Sequence, residues 1–230
     1  MEIAILGYGK EGQSAEKFFR AKHQNTTIFK LDETDFSKYG LVLRSPSVPP
    51  RKGWSSMTQY FFEHCPCPII GVTGTKGKGT TSTLITALLK ELGHKAWLVG
   101  NIGKPALDII DEIKPNDIVV YEMSSFQLWD LTRSPHIAVV LGIEPDHLNV
   151  HKDFADYVGA KANITKHQAK QDCCIYYSTN KHTAEIAEFG HGKKIAYPIP
   201  NDAKLDAILD QLNIPGWQNR DNAQAALLAV

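Results

Sequence analysis

Apolar positions along the chain fall into short runs broken by glycine, proline and polar residues, and two spacings alternate. Near the N-terminus an apolar run over 2–6 predicts a strand. Glycines at 7, 9 and 12 then open a helix reaching about residue 22, and strands over 27–31 and 41–43 precede a helix over 57–63. Cys65-Pro66-Cys67-Pro68 breaks any helix and marks a boundary. Beyond it, 69–73 reads as a buried strand, followed by a glycine-rich turn. The helix after that turn sets Leu84, Leu88 and Leu92 on one face beside Ile85 and Leu89. Further buried strands are predicted over 96–99, 118–122, 137–141 and 175–177, with helical patterns between them and helices over 154–169, 205–212 and 219–230. Strands alternating with helices imply an α/β fold with parallel sheets covered on both faces, and ligands at the carboxyl ends of the strands. The last helical pattern reaches Val230 uncapped, as expected of a piece whose next domain is missing.

Composition narrows the function. Of 230 residues 43% are hydrophobic, enough for a real core, and 25 basic residues balance 25 acidic ones. A general nucleic-acid binder would show a basic excess, so no nucleic-acid partner is expected. No apolar run approaches membrane-span length, and the N-terminus lacks a basic stretch ahead of its apolar residues, so neither membrane insertion nor a signal peptide is expected. The four cysteines, at 65, 67, 173 and 174, lack zinc-site spacing and suit a reducing, cytoplasmic setting.

The candidate chemistry centres on Thr73-Gly74-Thr75-Lys76-Gly77-Lys78-Gly79-Thr80-Thr81. Strand, glycine turn and helix make a phosphate cradle. The glycines admit phosphates close to the backbone, N–H groups at the helix start face the anion, Lys78 adds positive charge, and a threonine hydroxyl can hold magnesium. Two positions depart from the strict P-loop pattern: Val72 stands at the first glycine, and Gly79 follows the lysine. The expected architecture is a short Rossmann-like N-terminal domain over 1–65, followed by a P-loop-type parallel-sheet ATPase domain over 66–230.

Gly7-x-Gly9-x-x-Gly12 with Asp32 about twenty residues on matches a dinucleotide fingerprint. The segment before the proline-rich boundary is too short for a full two-half nicotinamide fold, but a nucleotide diphosphate could use the same helix start, with Asp32 on a ribose or base. Glu122, ending a buried strand, suits a magnesium-facing carboxylate. His147, after the next strand, is equally a metal ligand, a substrate contact or a structural histidine. Lys161 reads as an ordinary solvated helix lysine.

Taken together, several stretches resemble the Mur ligases, the ATP-dependent amide ligases of peptidoglycan assembly, and most closely the branch that adds D-glutamate. They are residues 7–12, Arg44-Ser45-Pro46-Ser47-Val48-Pro49, 73–81, Gly100-Asn101-Ile102-Gly103-Lys104-Pro105-Ala106, 122–128, Asp146-His147-Leu148, Ala160-Lys161 and Asn219-x-x-Asn222-x-x-Ala225. The resemblance implies UDP-sugar on a first domain, ATP on a second, and the incoming amino acid on a third, which is absent here. It implies that ATP phosphorylates the carboxylate of UDP-N-acetylmuramoyl-L-alanine and that D-glutamate attacks the acyl phosphate. It also implies a monomer using two magnesium ions and a CO2-derived carbamate on Lys161.

By motif, Gly74, Thr75, Lys76, Gly77, Lys78, Gly79, Thr80 and Thr81 would hold the ATP phosphates, and Asn219 and Asn222 the adenine end. Thr80, Glu122, His147 and the modified Lys161 would serve the metals, with Lys78, Lys161 and His147 catalytic. Asn101 and Ser124 would contact the muramoyl part, and Gly9, Lys10, Glu11, Asp32 and Ser45 would line the uridine-diphosphate site. The chain departs from the family's pattern at Gly79, Gly142, Asn149 and Gln218, and at Lys10 and Glu11, where smaller or apolar residues are usual. Gly79 also matches the loop of folylpolyglutamate synthases, so a ligase of that kind is one alternative. A catalytically silent nucleotide-binding module is another, and a nicotinamide dehydrogenase a weaker one.

Overall fold

The computed structural model describes residues 2–22, 25–29, 35–211 and 216–230. Asp32 lies outside the described residues. Two all-parallel sheets form. The first has the order β2-β1-β3-β4, from β1 (Glu2–Leu6), β2 (Asn25–Phe29), β3 (Leu41–Arg44) and the two-residue β4 (Ser55–Ser56). Helix α1 (Lys10–Ala21) crosses from β1 to β2, and α2 (Met57–His64) follows β4, capped by the Ser56 hydroxyl on the Gln59 amide.

The second sheet has the order β10-β9-β8-β5-β7-β6. Its strands are β5 (Ile69–Thr73), β6 (Ala96–Gly100), β7 (Ile118–Glu122), β8 (Ile137–Val140), β9 (Cys173–Tyr177) and β10 (Lys193–Tyr197). Its helices are α3 (Lys78–Glu91), the single turn α4 (Ser125–Leu128), α5 (Phe154–Lys166), α6 (Lys181–Phe189), α7 (Ala203–Gln211) and α8 (Trp217–Leu228). Strand β5, buried at every position, lies between β7 and β8, with Val72 opposite Glu122 and Thr73 opposite Val140. The loops leaving these three strands therefore open at one sheet edge, a switch point of the kind where α/β proteins bind ligands.

The sheets are not separated by solvent. Ile3, Ile5, Phe19, Leu43 and Phe61 from the first share one buried cluster with Ile69, Val99, Val119 and Tyr121 from the second. Polar ties add to it: Ser14 donates to Asp108 at 2.8 Å, and Lys22 pairs with Asp111 at 2.9 Å.

Three expectations change. Between β6 and β7 only two 3-10 turns form, Ala106–Asp108 and Ile110–Glu112, rather than an α-helix. Helix α5 stops at Lys166, because the buried Gln168 side chain turns the chain by donating to the Pro135 and Cys173 carbonyls. Finally, α6 and β10 escaped the apolar pattern. Strand β10 lies at the sheet edge with mostly exposed residues, so no apolar run announces it.

Candidate active site

The glycine turn follows β5 directly. Gly74 sits at φ 153°, and a Cβ there would come within 2.6 Å of the Leu141 Cβ. Gly77 caps α3 in the left-handed region at φ 84°, where a Cβ would lie 2.5 Å from the Asn222 side chain. The turn is thus closed against the loop after β8 and against α8, and only glycine fits at both contacts. Thr75 is pinned by its hydroxyl, which donates to the Glu144 carbonyl at 3.0 Å and lies 3.1 Å from the Tyr157 hydroxyl.

Two lysines converge on the turn's carbonyls. Lys78 Nζ donates to Gly74 O at 3.1 Å and Thr75 O at 2.9 Å. Lys161 Nζ donates to the same Gly74 O at 2.9 Å and to Thr73 Oγ1 at 3.2 Å. Lys161 is 1% exposed, which corrects its reading as a solvated helix lysine. The α5 face that holds Ala160, Lys161 and Ile164 packs inward. Burial, reinforced by the Lys78 charge, pushes the Lys161 ammonium down to about 7, against the opposing pull of Asp146 and Glu122. Burial also lowers Lys78, again opposed by Glu122 and Asp146.

Glu122 ends β7 at 5% exposure. Burial raises its pKa, while the Lys78 charge holds the rise back. Its Oε2 is buried without a hydrogen-bond partner among the described residues, as are the hydroxyls of Thr81 and Ser82. Unmatched hard oxygens near a glycine turn are donors of the kind that suit magnesium. Thr80 is exposed and faces the large cavity, whereas Thr81 is fully buried. Asn101 donates its amide to the Glu122 carbonyl at 3.3 Å, so the Gly100-Asn101 turn and the carboxylate share one strand end.

His147 takes positive φ (53°) and stays half exposed, with its ring 5.0 Å from Phe126 and its Nε2 3.5 Å from Asp146. Ser124 caps α4 in a reciprocal box: its hydroxyl accepts from the Gln127 amide, and its own amide donates to Gln127 Oε1 at 2.8 Å. In the first sheet, Gly9 caps α1, Lys10 begins it, and Ser45 lies beside Gly7 at the end of β3. Glu11 reaches across to α4. Its carboxylate accepts from Gln127 Nε2 at 2.8 Å, and burial pushes its pKa up to about 7.

A cavity of about 470 Å³ opens beside the turn. Thr75, Lys76, Gly77 and Thr80 form one wall, and Asn219 and Asn222 of α8 the other. The two ends of the predicted nucleotide site, 75–80 and 219–222, are thereby joined. Gln218 and Asp221 line it as well. Tyr177, Asn180 and Tyr197 complete the cavity and were missed from sequence; the Asn180 cap of α6 was the one local signal. Asp146, close enough to raise both lysines, was also missed as a site residue.

Known proteins share this chain's sequence and fold. The profile of the Mur ligase middle domain matches residues 72–214. The UDP-N-acetylmuramoylalanine--D-glutamate ligase of Acetivibrio thermocellus is 40% identical over 195 residues, covering 76% of this chain and 42% of that protein. The enzyme of the same name from Clostridium tetani is 38% identical over 256 aligned positions, covering 98% of this chain and 56% of that protein. The chain thus spans about half the length of the curated relatives it matches. In fold, it superposes on the UDP-N-acetylmuramate:L-alanyl-gamma-D-glutamyl-meso-diaminopimelate ligase of Neisseria meningitides with a TM-score of 0.61 at 15% identity, covering 99% of this chain and 92% of that one.

Proposed function

Because the chain belongs to the Mur ligase family, we propose that it supplies the nucleotide-handling part of a cytoplasmic ligase that uses ATP to join D-glutamate to UDP-N-acetylmuramoyl-L-alanine. The observation that carries this reading is the pair Lys78 and Lys161, both donating to Gly74 O, beside a Glu122 oxygen that lacks a partner among the described residues. In the proposed reaction a substrate carboxylate oxygen attacks the γ-phosphorus of ATP and ADP leaves. The neutral amine of D-glutamate then attacks the acyl-phosphate carbon, the nitrogen gives up a proton to solvent, and the tetrahedral intermediate expels phosphate.

The amides of 74–80 and the Lys78 charge hold the phosphates, and Asn219 and Asn222 receive the adenine end across the cavity. Glu122, His147 and a threonine of the 80–81 pair would hold the magnesium ions, two in this reading. Magnesium, when bound, offsets phosphate charge. With its pKa near 7, Lys161 has an appreciable neutral fraction at neutral pH. Its Nζ attacks CO2, one N–C bond forms, one proton leaves, and the resulting carbamate completes the anionic set. Asn101 and Ser124 receive the muramoyl part, and the Gly9–Gly12 helix start and Ser45 the uridine diphosphate. The main work of the site is to position groups and spread charge.

Calorimetry with Mg·ATP tests the cradle directly: we expect saturable heat, abolished in Lys78→Ala. In protein competent for turnover, phosphate release requires both D-glutamate and UDP-N-acetylmuramoyl-L-alanine. Absence of Mg·ATP binding, or equal binding by Lys78→Ala, refutes the assignment.

A further inference from the structure

Helix α4 is a single turn, Ser125–Leu128. So short a helix has no stability of its own and takes its position from its partners. Two of those partners come from the first sheet, each next to a proposed nucleotide loop. Glu11 of the Gly7–Gly12 turn accepts from Gln127 Nε2, and Gln127 Oε1 in turn accepts from the Ser124 amide and hydroxyl at 2.8 and 3.0 Å. Arg44, directly before Ser45, is wholly buried and donates to the Phe126 carbonyl at 3.1 Å, to the Val48 carbonyl at 3.0 Å and to both oxygens of Asp130.

Helix α4 also contacts the loop after β8 and, through it, α5. The Phe126 ring lies 5.0 Å from His147 and stacks on His151 at 5.3 Å. His151 joins Ser125 Oγ to Asp156 of α5 at 2.9 Å on each side, and α5 carries Lys161. With Ser125 and His151 at 1% and 2% exposure, this serine–histidine–aspartate chain is no nucleophile; it fixes α4 to α5. Buried polar chains of this kind hold one geometry, because any other leaves a partner unmatched.

We propose that α4 couples the two sheets, with Glu11 and Arg44 as positioning residues, so that a nucleoside diphosphate on the first sheet sets the placement of Ser124 and His147 beside the ATP site. The proposal rests on the nucleotide reading given above for the Gly7–Gly12 turn. A ligand shifts a structure only through contacts that differ between free and bound states. The diphosphate brings negative charge to the start of α1, next to a carboxylate already bonded to Gln127. The Glu11–Gln127 contact is the one that must respond.

Trp129 reports on α4, its ring being 4.5 Å from His151 and 6.1 Å from Phe126. The chain is labelled with 5-fluorotryptophan, the Trp129 resonance is assigned through Trp129→Phe, and UDP is added to saturation as followed by calorimetry. We expect UDP to move the Trp129 fluorine resonance in the parent chain. That movement is lost in Glu11→Ala and in Gln127→Leu, which cuts the link from outside the nucleotide loops, and it is weakened in Glu11→Gln, which keeps an acceptor but removes the charge. Arg44→Lys, retaining the charge without the fork, loses it too. A Trp129 movement undiminished in Glu11→Ala and Gln127→Leu overturns the coupling, as does a parent chain that binds UDP with Trp129 unmoved. A parent chain giving no heat with UDP removes the nucleotide reading itself, and the coupling with it.

Discussion

Replacing Lys161 by methionine is expected to stabilise the fold while destroying the site. Methionine keeps the apolar stem and removes the charge. Neither former acceptor is stranded: Gly74 O still receives Lys78 Nζ at 3.1 Å, and Thr73 Oγ1 still donates to Met123 O at 3.0 Å. A fall from 10.5 to about 7, at about 1.4 kcal/mol per unit, bounds the penalty of the buried ammonium at about 5 kcal/mol. The two hydrogen bonds lost with the ammonium reduce the net gain to about 2–3 kcal/mol.

The sign with pH follows from proton counting. Below about 7 both folded and unfolded chains hold the proton, and the penalty is fully present. Between there and the unfolded value near 10.4 only the unfolded chain holds it, so the parent gains stability as pH rises. The advantage of Lys161→Met therefore shrinks steadily across that window. Urea unfolding of both proteins in CO2-free buffer with chelator, at about pH 6.5, 8 and 9.5, measures this. A variant less stable than the parent at neutral pH, or an advantage that does not change with pH, refutes the reasoning.

Gly77→Ala forces a left-handed Cβ against Asn222; we expect a loss of about 1–2 kcal/mol in stability and at least about tenfold weaker Mg·ATP binding by calorimetry. Lys161→Ala is expected to lose turnover and to recover part of it with short carboxylic acids that take the carbamate's place; full activity without added acid would remove the carbamate from the mechanism. Arg44→Met leaves Asp130, 22% exposed, without its main partner. Chemical denaturation should show a loss of about 3 kcal/mol, the low end for a broken buried pair because water reaches the aspartate.

The sequence made the strands and the phosphate turn legible because both depend on local pattern: five buried residues, then glycines that no other residue replaces at Gly74 and Gly77. The strand-end position of Glu122 was legible for a related reason, since parallel strands deliver their C-terminal residues to one edge. Lys161 was marked only by the family resemblance and read as solvated from its own pattern, because its burial depends on how α5 packs across β5, which no window of sequence contains. Tyr197 and Asn180 stayed hidden because they reach the cavity only through the edge strand and the α6 cap. Glu11 was read as lining the nucleotide loop, and its link to α4 was not legible. Its bond to Gln127 spans 116 residues.

The apolar cluster that runs unbroken from Ile3 and Phe19 through Phe61 to Val119 and Tyr121 bears on how the molecule melts. Neither sheet can shed the other without wetting that shared interior, so heat should take both apart in one cooperative transition. A fragment ending at the proline-rich break would carry Phe61 and Phe62 into water and would be prone to aggregate when made alone.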